Sequence, residues 1–374
     1  MATLLGEGVP HGVVDVCASR IDDPVVRLRF LRSTMAPAAA RPKRRGKRWG
    51  RPGWPVLGAV LLLAPVSQVA APEMAGRPGL RATPVEDSAP RVWLAEQSDG
   101  GGEMYSNGLR IEGGPGAPGQ PRLYKAFARS SPDGNTWRWR AEPAGIVFHR
   151  SESDVASFEP EQNNVLKRQG EQLLAYVRRQ HCYHFLIDRF GRVHRVVDET
   201  AKADHAGHSI WADDEWVYVS LNQSFLGVCF ESQTSPGAAI SPAQVHSAKV
   251  LTEMLRSRYN IPARNCITHA QVSVNPRNFR VGYHTDWAKD FPYGEAGLPD
   301  NYLQPLPSLT FFGFDADSTF VEAAGADLRN AVSLAREQMR QAAETRKAPV
   351  TRYQAELQNS YHRAAAVAGS LATQ

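Results

Sequence analysis

The stretch YHFLIDRFGRVHRVVD, residues 183–198, decides the fold class of this chain. Two apolar, β-rich runs flank Gly191, a pattern that predicts a β-hairpin. The runs GIVFH at 145–149 and FLGVCFES at 225–232 have the same character and predict two further strands. The central part of the chain is therefore expected to build a β-sheet.

Two helices are predicted between and after these strands. Residues 163–180 place apolar side chains at mostly helical spacing. Residues 241–260 open with Ser241, Pro242 and Gln244, a capping box with proline at the first helical position. This alternation of strands and helices predicts an α/β fold, in which a mixed central β-sheet is flanked by helices.

Two segments of different composition border the predicted domain, residues 141–305. Residues 72–140 are rich in glycine and proline and predict an irregular N-terminal region, a linker with short strands. Residues 306–374 predict a helical C-terminal tail, which is broken at Pro349. We expect two helices there, docked on the domain or bound to a protein partner, and the usual interpretation of such a charged tail is a solvated face.

Residues 1–71 have the pattern of a targeting segment. Seven lysines and arginines between residues 41 and 51 precede the apolar run PVLGAVLLLAPV at 55–66, and VAA at 69–71 offers a cleavage site. We expect export to a bacterial periplasm or cell envelope. Met35, shortly before the charged residues, is an alternative start of translation. The apolar run is short for a bilayer span, and an uncleaved N-terminal membrane tether is the alternative outcome.

The net charge of +5 belongs to this N-terminal segment. Residues 1–71 carry eleven Lys and Arg against four Asp and Glu, so the remainder of the chain is slightly acidic. That balance gives no reason to expect a nucleic-acid partner. Removal of the N-terminal segment would leave three cysteines, Cys182, Cys229 and Cys266. They form no CxxC motif, so a cysteine zinc site is not expected. A single disulfide between two of them is an open alternative.

Histidines are concentrated where a catalytic site is expected. Nine of the eleven lie between His149, at the end of a strand, and His284, and His269 follows another short apolar run. A catalytic zinc needs three protein ligands and one open position. His149, His269 and either His284 or Asp286 would supply them, although each histidine alone is more often an ordinary hydrogen-bonded residue, and no HExxH motif is present.

Six short pieces, in order from about 145 to 292, resemble the zinc-dependent N-acetylmuramoyl-L-alanine amidases, which share their fold with peptidoglycan recognition proteins and phage amidase-type lysozymes. The pieces are IVFHRS, YHFLIDRFGRVHRV, DHAGHS, NQSFLGVCFE, THAQVS and HTDW. Each piece alone is only weakly specific for the family, but six pieces in the family's order are strongly specific for it. The resemblance implies the family's fold, a zinc ion (Zn2+) as cofactor, and His149, His269 and Asp286 as its ligands.

The resemblance also implies roles for residues around the metal. His284 stands where the family has a catalytic lysine, which implies that it stabilises the oxyanion. Tyr183 of the hairpin is expected to orient the attacking water, and Glu231 is the less favoured alternative, because Cys229 occupies the position where many members carry a glutamate.

His205 and Asn222 match family elements expected to bind substrate. The spacing between His269 and Asp286 is longer than usual in the family, so VNPRNFRVGY at 274–283 is predicted to be an inserted loop beside the cleft.

The implied activity is hydrolysis of the amide between N-acetylmuramic acid and L-alanine, in intact peptidoglycan or in small muropeptides, for cell-wall remodelling or recycling. A non-catalytic peptidoglycan-binding module of the same fold is the main alternative. A hydrolase that acts on another amide is a third, because a fold does not determine a substrate.

Overall fold

The computed structural model describes residues 89–234 and 239–369. All of them belong to one compact unit. The predicted targeting segment, residues 1–71, lies outside the described residues. Within the described ranges, no helix has the length and apolar character needed to cross a membrane.

The sheets are built from short strands, most of them two to six residues long. In chain order they are β1 (Leu94–Gln97), β2 (Glu103–Tyr105), β3 (Arg110–Glu112), β4 (Tyr124–Ala128), β5 (Trp137–Arg140), β6 (Gly145–Arg150), β7 (Phe185–Ile187), β8 (Val193–Arg195), β9 (Ile210–Ala212), β10 (Trp216–Val219), β11 (Phe225–Phe230), β12 (Cys266–Thr268), β13 (Val274–Asn275), β14 (Arg280–Val281) and β15 (Asp315–Ala316). The predicted strands at 145–149 and 225–232 and the hairpin around Gly191 are confirmed as β6, β11 and β7–β8.

The central sheet has eight strands in the order β1-β2-β3-β8-β7-β11-β6-β12. Strand β11 pairs in parallel with β6 and β7, and β12 pairs in parallel with β6, whereas β7 and β8 are antiparallel. The sheet is therefore mixed, as predicted. Because parallel strands end at the same edge, the residues that follow β6, β11 and β12 meet there.

The helices are α1 (Asn163–Gln180), α2 (Leu221–Ser224), α3 (Pro242–Tyr259), α4 (His269–Val272), α5 (Pro307–Phe312), α6 (Ser318–Ala323), α7 (Ala326–Thr345) and α8 (Val350–Gly369). The two helices predicted around the strands are confirmed as α1 and α3. The capping box of α3 is present, because the backbone N–H of Gln244 donates to Ser241 Oγ and the backbone N–H of Ser241 donates to Gln244 Oε1.

Strand β6 separates two buried clusters, because its side chains alternate between the faces of the sheet. Ile146 and Phe148 join the larger cluster, which also includes Leu251 of α3. Val147 joins a second cluster with Ile267 of β12. His149 lies two residues after Val147, so its side chain is on the same face of the sheet as that of Val147. This face is opposite the one that packs on α3.

The segment predicted to be a linker contributes strands to two sheets. Strand β3 pairs in parallel with β8, which extends the central sheet through β2 and β1. Strands β4 and β5 join β10 and β9 in a second, four-stranded antiparallel sheet. These strands have three to five residues each. Such short runs carry little periodic signal, so the glycine-rich turns between them dominate the sequence pattern.

A buried ion network joins β2 to β8. Arg195 donates two hydrogen bonds of 2.9 Å to the carboxylate of Glu103 and one of 3.0 Å to Glu199. The side chains of Arg195 and Glu199 are only 6% and 5% exposed. One guanidinium therefore bonds two carboxylates and fixes the N-terminal strands to the domain.

Replacing this arginine is expected to destabilise the protein strongly. Arg195→Met should lower the free energy of unfolding by roughly 3–5 kcal/mol, since Glu103 and Glu199 then lose the cation that hydrogen-bonds both of them. Urea unfolding followed by circular dichroism measures the loss. Arg110→Met, on the exposed side of β3, is the matched control and should unfold near the wild-type midpoint. Equal midpoints for the two variants would contradict this role.

The C-terminal segment packs on the domain as two long helices. Helix α7 ends at Thr345 and α8 begins at Val350, directly after Pro349, as the proline predicts. Leu328 of α7 and Tyr361 of α8 are buried in the same cluster as Phe148. These helices are therefore docked, and binding of a protein partner stays a prediction. Strand β15, which precedes them, pairs with β14 of the inserted loop.

Candidate metal centre

The three predicted metal ligands meet in one buried group. Nitrogen or oxygen atoms of His149, His269 and Asp286 all lie within 4.8 Å of one another. All three residues are buried, with 0%, 1% and 6% of their surface exposed. Residues separated by 120 and 17 positions in the sequence thus converge at the carboxyl ends of β6 and β12.

Local hydrogen bonds place each of these residues. Thr268, at the end of β12, donates its backbone N–H to Gln271 Oε1 over 3.0 Å, which caps the short helix that begins at His269. The backbone N–H of Ala270 donates to the carbonyl oxygen of Asp286, and that of Arg150 donates to Asp286 Oδ2, both over 3.3 Å. The Asp286 segment is thereby fixed to the ends of two strands.

The spacing of the donor atoms fits a small divalent ion such as zinc. His149 Nδ1 lies 3.6 Å from Asp286 Oδ2, and His269 Nδ1 lies 2.9 Å from Asp286 Oδ1. A tetrahedral zinc ion with bonds of about 2.0–2.1 Å would hold its donors about 3.3 Å apart. Among the described residues His149 Nδ1, although fully buried, has no hydrogen-bond partner. A buried nitrogen of this kind is costly unless something binds it, so the residues present fit a metal.

The ionisation states of these groups suit metal binding. Burial, assisted by neighbouring His269, lowers the pKa of His149 to about 4, so its imidazole is neutral near pH 7. Burial alone would raise the pKa of Asp286, but the two histidines outweigh it and hold that pKa well below its usual range. A neutral imidazole and an ionised carboxylate bind a cation without first losing a proton.

Tyr183, predicted to orient water, lies beside the first ligand. Its ring centroid is 5.1 Å from that of His149. The residue is buried, and burial raises the pKa of its phenol well above the usual value, so the hydroxyl stays protonated. Its backbone has a φ of 64°, a left-handed conformation that is unusual for an aromatic residue. Backbone strain of this kind is found where a side chain must be held in place for function.

His284, predicted to stabilise the oxyanion, lies beside the second ligand. Its ring stacks on that of His269, with centroids 4.5 Å apart and an angle of 18° between the planes. The residue is half-buried, and its backbone N–H donates to Ser273 Oγ over 3.0 Å. Exposed Tyr283 packs edge-on against it. An imidazole at the rim of a buried centre can reach a substrate while it remains fixed.

Glu231 lies apart from this group. Its Oε2 accepts a hydrogen bond of 3.0 Å from the backbone N–H of Arg189, in the turn between β7 and β8. Burial raises the pKa of its carboxyl group. The described structure does not bring Glu231 among the atoms that surround the metal position. Its role as a water-orienting carboxylate stays a prediction, and the placement favours Tyr183.

His205 and Asn222, predicted to bind substrate, contact each other behind the first ligand. The backbone N–H groups of His205 and Ala206 donate to Asn222 Oδ1 over 3.0 and 2.6 Å. The His205 ring is buried, and its Nδ1 lies 3.0 Å from His149 Nε2. Substrate binding by these two residues stays a prediction. The contact with His149 was missed in the sequence, although the DHAGHS element marked this loop.

The inserted loop between His269 and Asp286 is held by the C-terminal segment. Strands β13 and β14 form a ribbon that β15 extends. The φ of Gly282 is 71°, and a Cβ atom there would lie only 2.0 Å from the Phe320 ring of α6. Phe320 therefore packs directly on the backbone two residues before His284. The sequence contained no signal for this contact, since its two sides are far apart in the chain.

Removal of this contact should weaken both stability and the site. Phe320→Ala is expected to cost about 3–5 kcal/mol, because a fully buried ring is deleted and a cavity remains. The loss should lower kcat as well, because the loop that carries His284 loses its support. Thermal unfolding and turnover test this together. Glu322→Ala, on the exposed side of the same helix, should change neither, and a Phe320→Ala enzyme with wild-type kcat would refute the link to His284.

A model of the N-acetylmuramoyl-L-alanine amidase family matches residues 139–287, a range that contains His149, His269 and Asp286. The chain contains a domain of this family. The match begins within β5 and ends one residue after the third ligand, so most of the N-terminal strands and all of the C-terminal helices lie outside it.

Three solved structures show a partial likeness to the chain that carries this amidase domain. N-acetylmuramoyl-L-alanine amidase LysC from Clostridium intestinale URNW is 21% identical, over 44% of this chain and 85% of that chain, with a TM-score of 0.27. AmiD from E. coli, in complex with anhydro-N-acetylmuramic acid-L-Ala-D-gamma-Glu-L-Lys, is 21% identical, over 59% of this chain and 88% of that chain, with a TM-score of 0.35. AmpDh3 from Pseudomonas aeruginosa, in complex with an anhydromuramic pentapeptide, is 19% identical, over 48% of this chain and 71% of that chain, with a TM-score of 0.30. A search of curated proteins found no match.

Proposed function

We propose that the amidase domain hydrolyses the amide bond between N-acetylmuramic acid and L-alanine in peptidoglycan, and that it does so with zinc. The observation that carries the proposal is the buried group of His149, His269 and Asp286 within the range of the family match. Two histidines and one carboxylate are the donor types of catalytic zinc sites, which leave a fourth position open.

An amide is a poor electrophile and water a poor nucleophile near pH 7, so both need activation. These three residues would hold zinc, which would supply Lewis-acid chemistry to activate water and polarise the carbonyl group. The protein contributes a neutral His149 and an ionised Asp286, whose low pKa keeps it a ligand into acid solution. All three proposed ligands are buried.

Tyr183 and His284 act on the reacting groups, each from beside a different ligand histidine. Because its pKa is raised, Tyr183 keeps its hydroxyl proton and orients the attacking water by hydrogen bonding. His284, stacked on His269, donates a hydrogen bond to the oxyanion that forms when the carbonyl is attacked. A fixed donor of this type stabilises a transition state by about 3 kcal/mol. The carbon–nitrogen bond then breaks, and the amide nitrogen leaves as the free amine of L-alanine with a proton that came from the attacking water.

Export follows from the proposed substrate. Peptidoglycan lies outside the cytoplasmic membrane, and the targeting pattern of residues 1–71 supports delivery to the periplasm or cell envelope. Zinc supplied in that compartment would complete the site after export.

A defined substrate tests the reaction and the metal together. Purified protein, freed of metal by a chelator, is incubated with a muropeptide that carries the N-acetylmuramoyl-L-alanine amide, in parallel with its anhydro form, before and after zinc is restored. We expect free stem peptide only with zinc, and the two arms show which form is preferred. Protein that binds peptidoglycan sacculi but releases no peptide when loaded with zinc would instead be a binding module.

A further inference from the structure

His205 lies directly behind the proposed ligand His149. The two rings are nearly perpendicular, at 82°, and His149 Nε2 is 3.0 Å from His205 Nδ1. Both side chains are buried, with 0% and 2% of their surface exposed. The nitrogen of His149 that faces away from the metal position is thus bonded to a second histidine, a less common partner for a ligand histidine than a carboxylate or a carbonyl group.

The direction of this hydrogen bond follows from the next contact. His205 Nε2 lies 3.2 Å from the carbonyl oxygen of Phe225. A carbonyl oxygen only accepts, so Nε2 of His205 carries a hydrogen and donates it. A buried imidazole with no carboxylate beside it is neutral and has only one N–H. Nδ1 of His205 therefore accepts, and Nε2 of His149 donates to it.

This polarity determines which nitrogen of His149 is available to a metal. With the hydrogen on Nε2, the lone pair of His149 is on Nδ1. That atom is 3.6 Å from Asp286 Oδ2 and belongs to the group of donors described above. We propose that His205 is a positioning residue that fixes the tautomer and ring orientation of His149, so that Nδ1 faces the metal. The proposal rests on the proposed zinc-dependent function.

Two further features of the fold place the His205 ring. Asn222 Oδ1 accepts hydrogen bonds from the backbone of His205 and Ala206, which fixes the loop. Gly227 of β11 lies under the ring, and a Cβ atom there would be 2.6 Å from His205 Cγ. Only glycine lets the imidazole pack on this strand, which lies beside β6 with Gly227 paired to Val147.

Zinc affinity is the measurement that isolates a positioning role. We expect His205→Leu, titrated against a chelator of known affinity, to bind zinc about 10–100-fold more weakly than wild type, as loss of an outer partner of a ligand histidine does. His205→Asn should recover most of the affinity, because its amide oxygen offers an acceptor near the position of Nδ1. His208→Leu, three residues further along the same loop but exposed, is the control and should bind like wild type.

Several results would overturn the assignment. A folded His205→Leu protein with wild-type zinc affinity shows that the contact is dispensable, and equal losses for the leucine and asparagine variants show that ring shape, not the acceptor, matters. If the leucine variant does not fold, nitrogen-15 NMR of the zinc-loaded wild type decides. We expect N–H signals at Nε2 of both histidines, and a hydrogen on Nδ1 of His205 would overturn the proposal. Wild-type protein that binds no zinc contradicts the proposed function itself, which is a separate outcome.

Discussion

Asp286→Ala should abolish both stoichiometric zinc binding and amidase activity. The carboxylate is one of the three donors in the group, and it also bonds to His269 over 2.9 Å. Its removal leaves two imidazoles, which bind a divalent cation far more weakly than a complete set of three ligands. The loss of zinc affinity should exceed the roughly 10–100-fold change expected when a partner outside the ligand set is removed. Metal analysis of dialysed protein and release of stem peptide measure the two effects.

The neighbouring Asp290→Asn provides the matched control. Asp290 is exposed and lies four residues further along the same segment, so the control removes the same charge without touching the ligand group. It should keep one zinc ion per chain and near wild-type activity. An Asp286→Ala protein that retains its zinc and its activity would mean that a different residue is the third ligand.

His284→Lys should remain active and should extend activity to higher pH. An imidazole loses its positive charge as the pH passes neutrality, whereas a lysine ammonium retains its charge well above it. If a positive donor at residue 284 stabilises the oxyanion, the alkaline limb of the pH–rate profile must shift to higher pH in this variant. His284→Ala should lose about 10²–10³ in kcat while zinc stays bound, as removal of an oxyanion donor does elsewhere.

His246→Lys controls for the added lysine. His246 lies on the exposed face of α3, on the side of the sheet away from the metal group, so its replacement should leave the pH profile unaltered. The same alkaline limb for wild type and His284→Lys would disprove the oxyanion role. A loss of zinc in His284→Ala would show instead that His284 serves the metal.

The parts of the fold that could be predicted are those with a local signal. Strand β6, the β7–β8 hairpin and helix α3 each carry their own apolar pattern or cap, so a short window of sequence suffices. The choice of Asp286 over His284 as ligand had no such signal. Both residues are polar and close in sequence, and only the resemblance to a family favoured Asp286.

What could not be predicted depends on contacts between distant residues. The pairing of β14 with β15 joins residues about 35 positions apart through strands of two residues each, too short to show a period. The contact of His205 with His149 exists because Gly227 leaves room on β11. Arg195 joins the N-terminal strands to the domain, and its two carboxylate partners come from different parts of the chain.

Mass spectrometry of digested sacculi tests the central claim most directly. Peptidoglycan is incubated with zinc-loaded wild type and, in parallel, with Asp286→Ala, and the soluble products are sequenced. We expect stem peptides that begin with a free L-alanine amine, from the wild type alone. Peptides cut at another bond, or no peptide from a protein that carries its zinc, would contradict this claim.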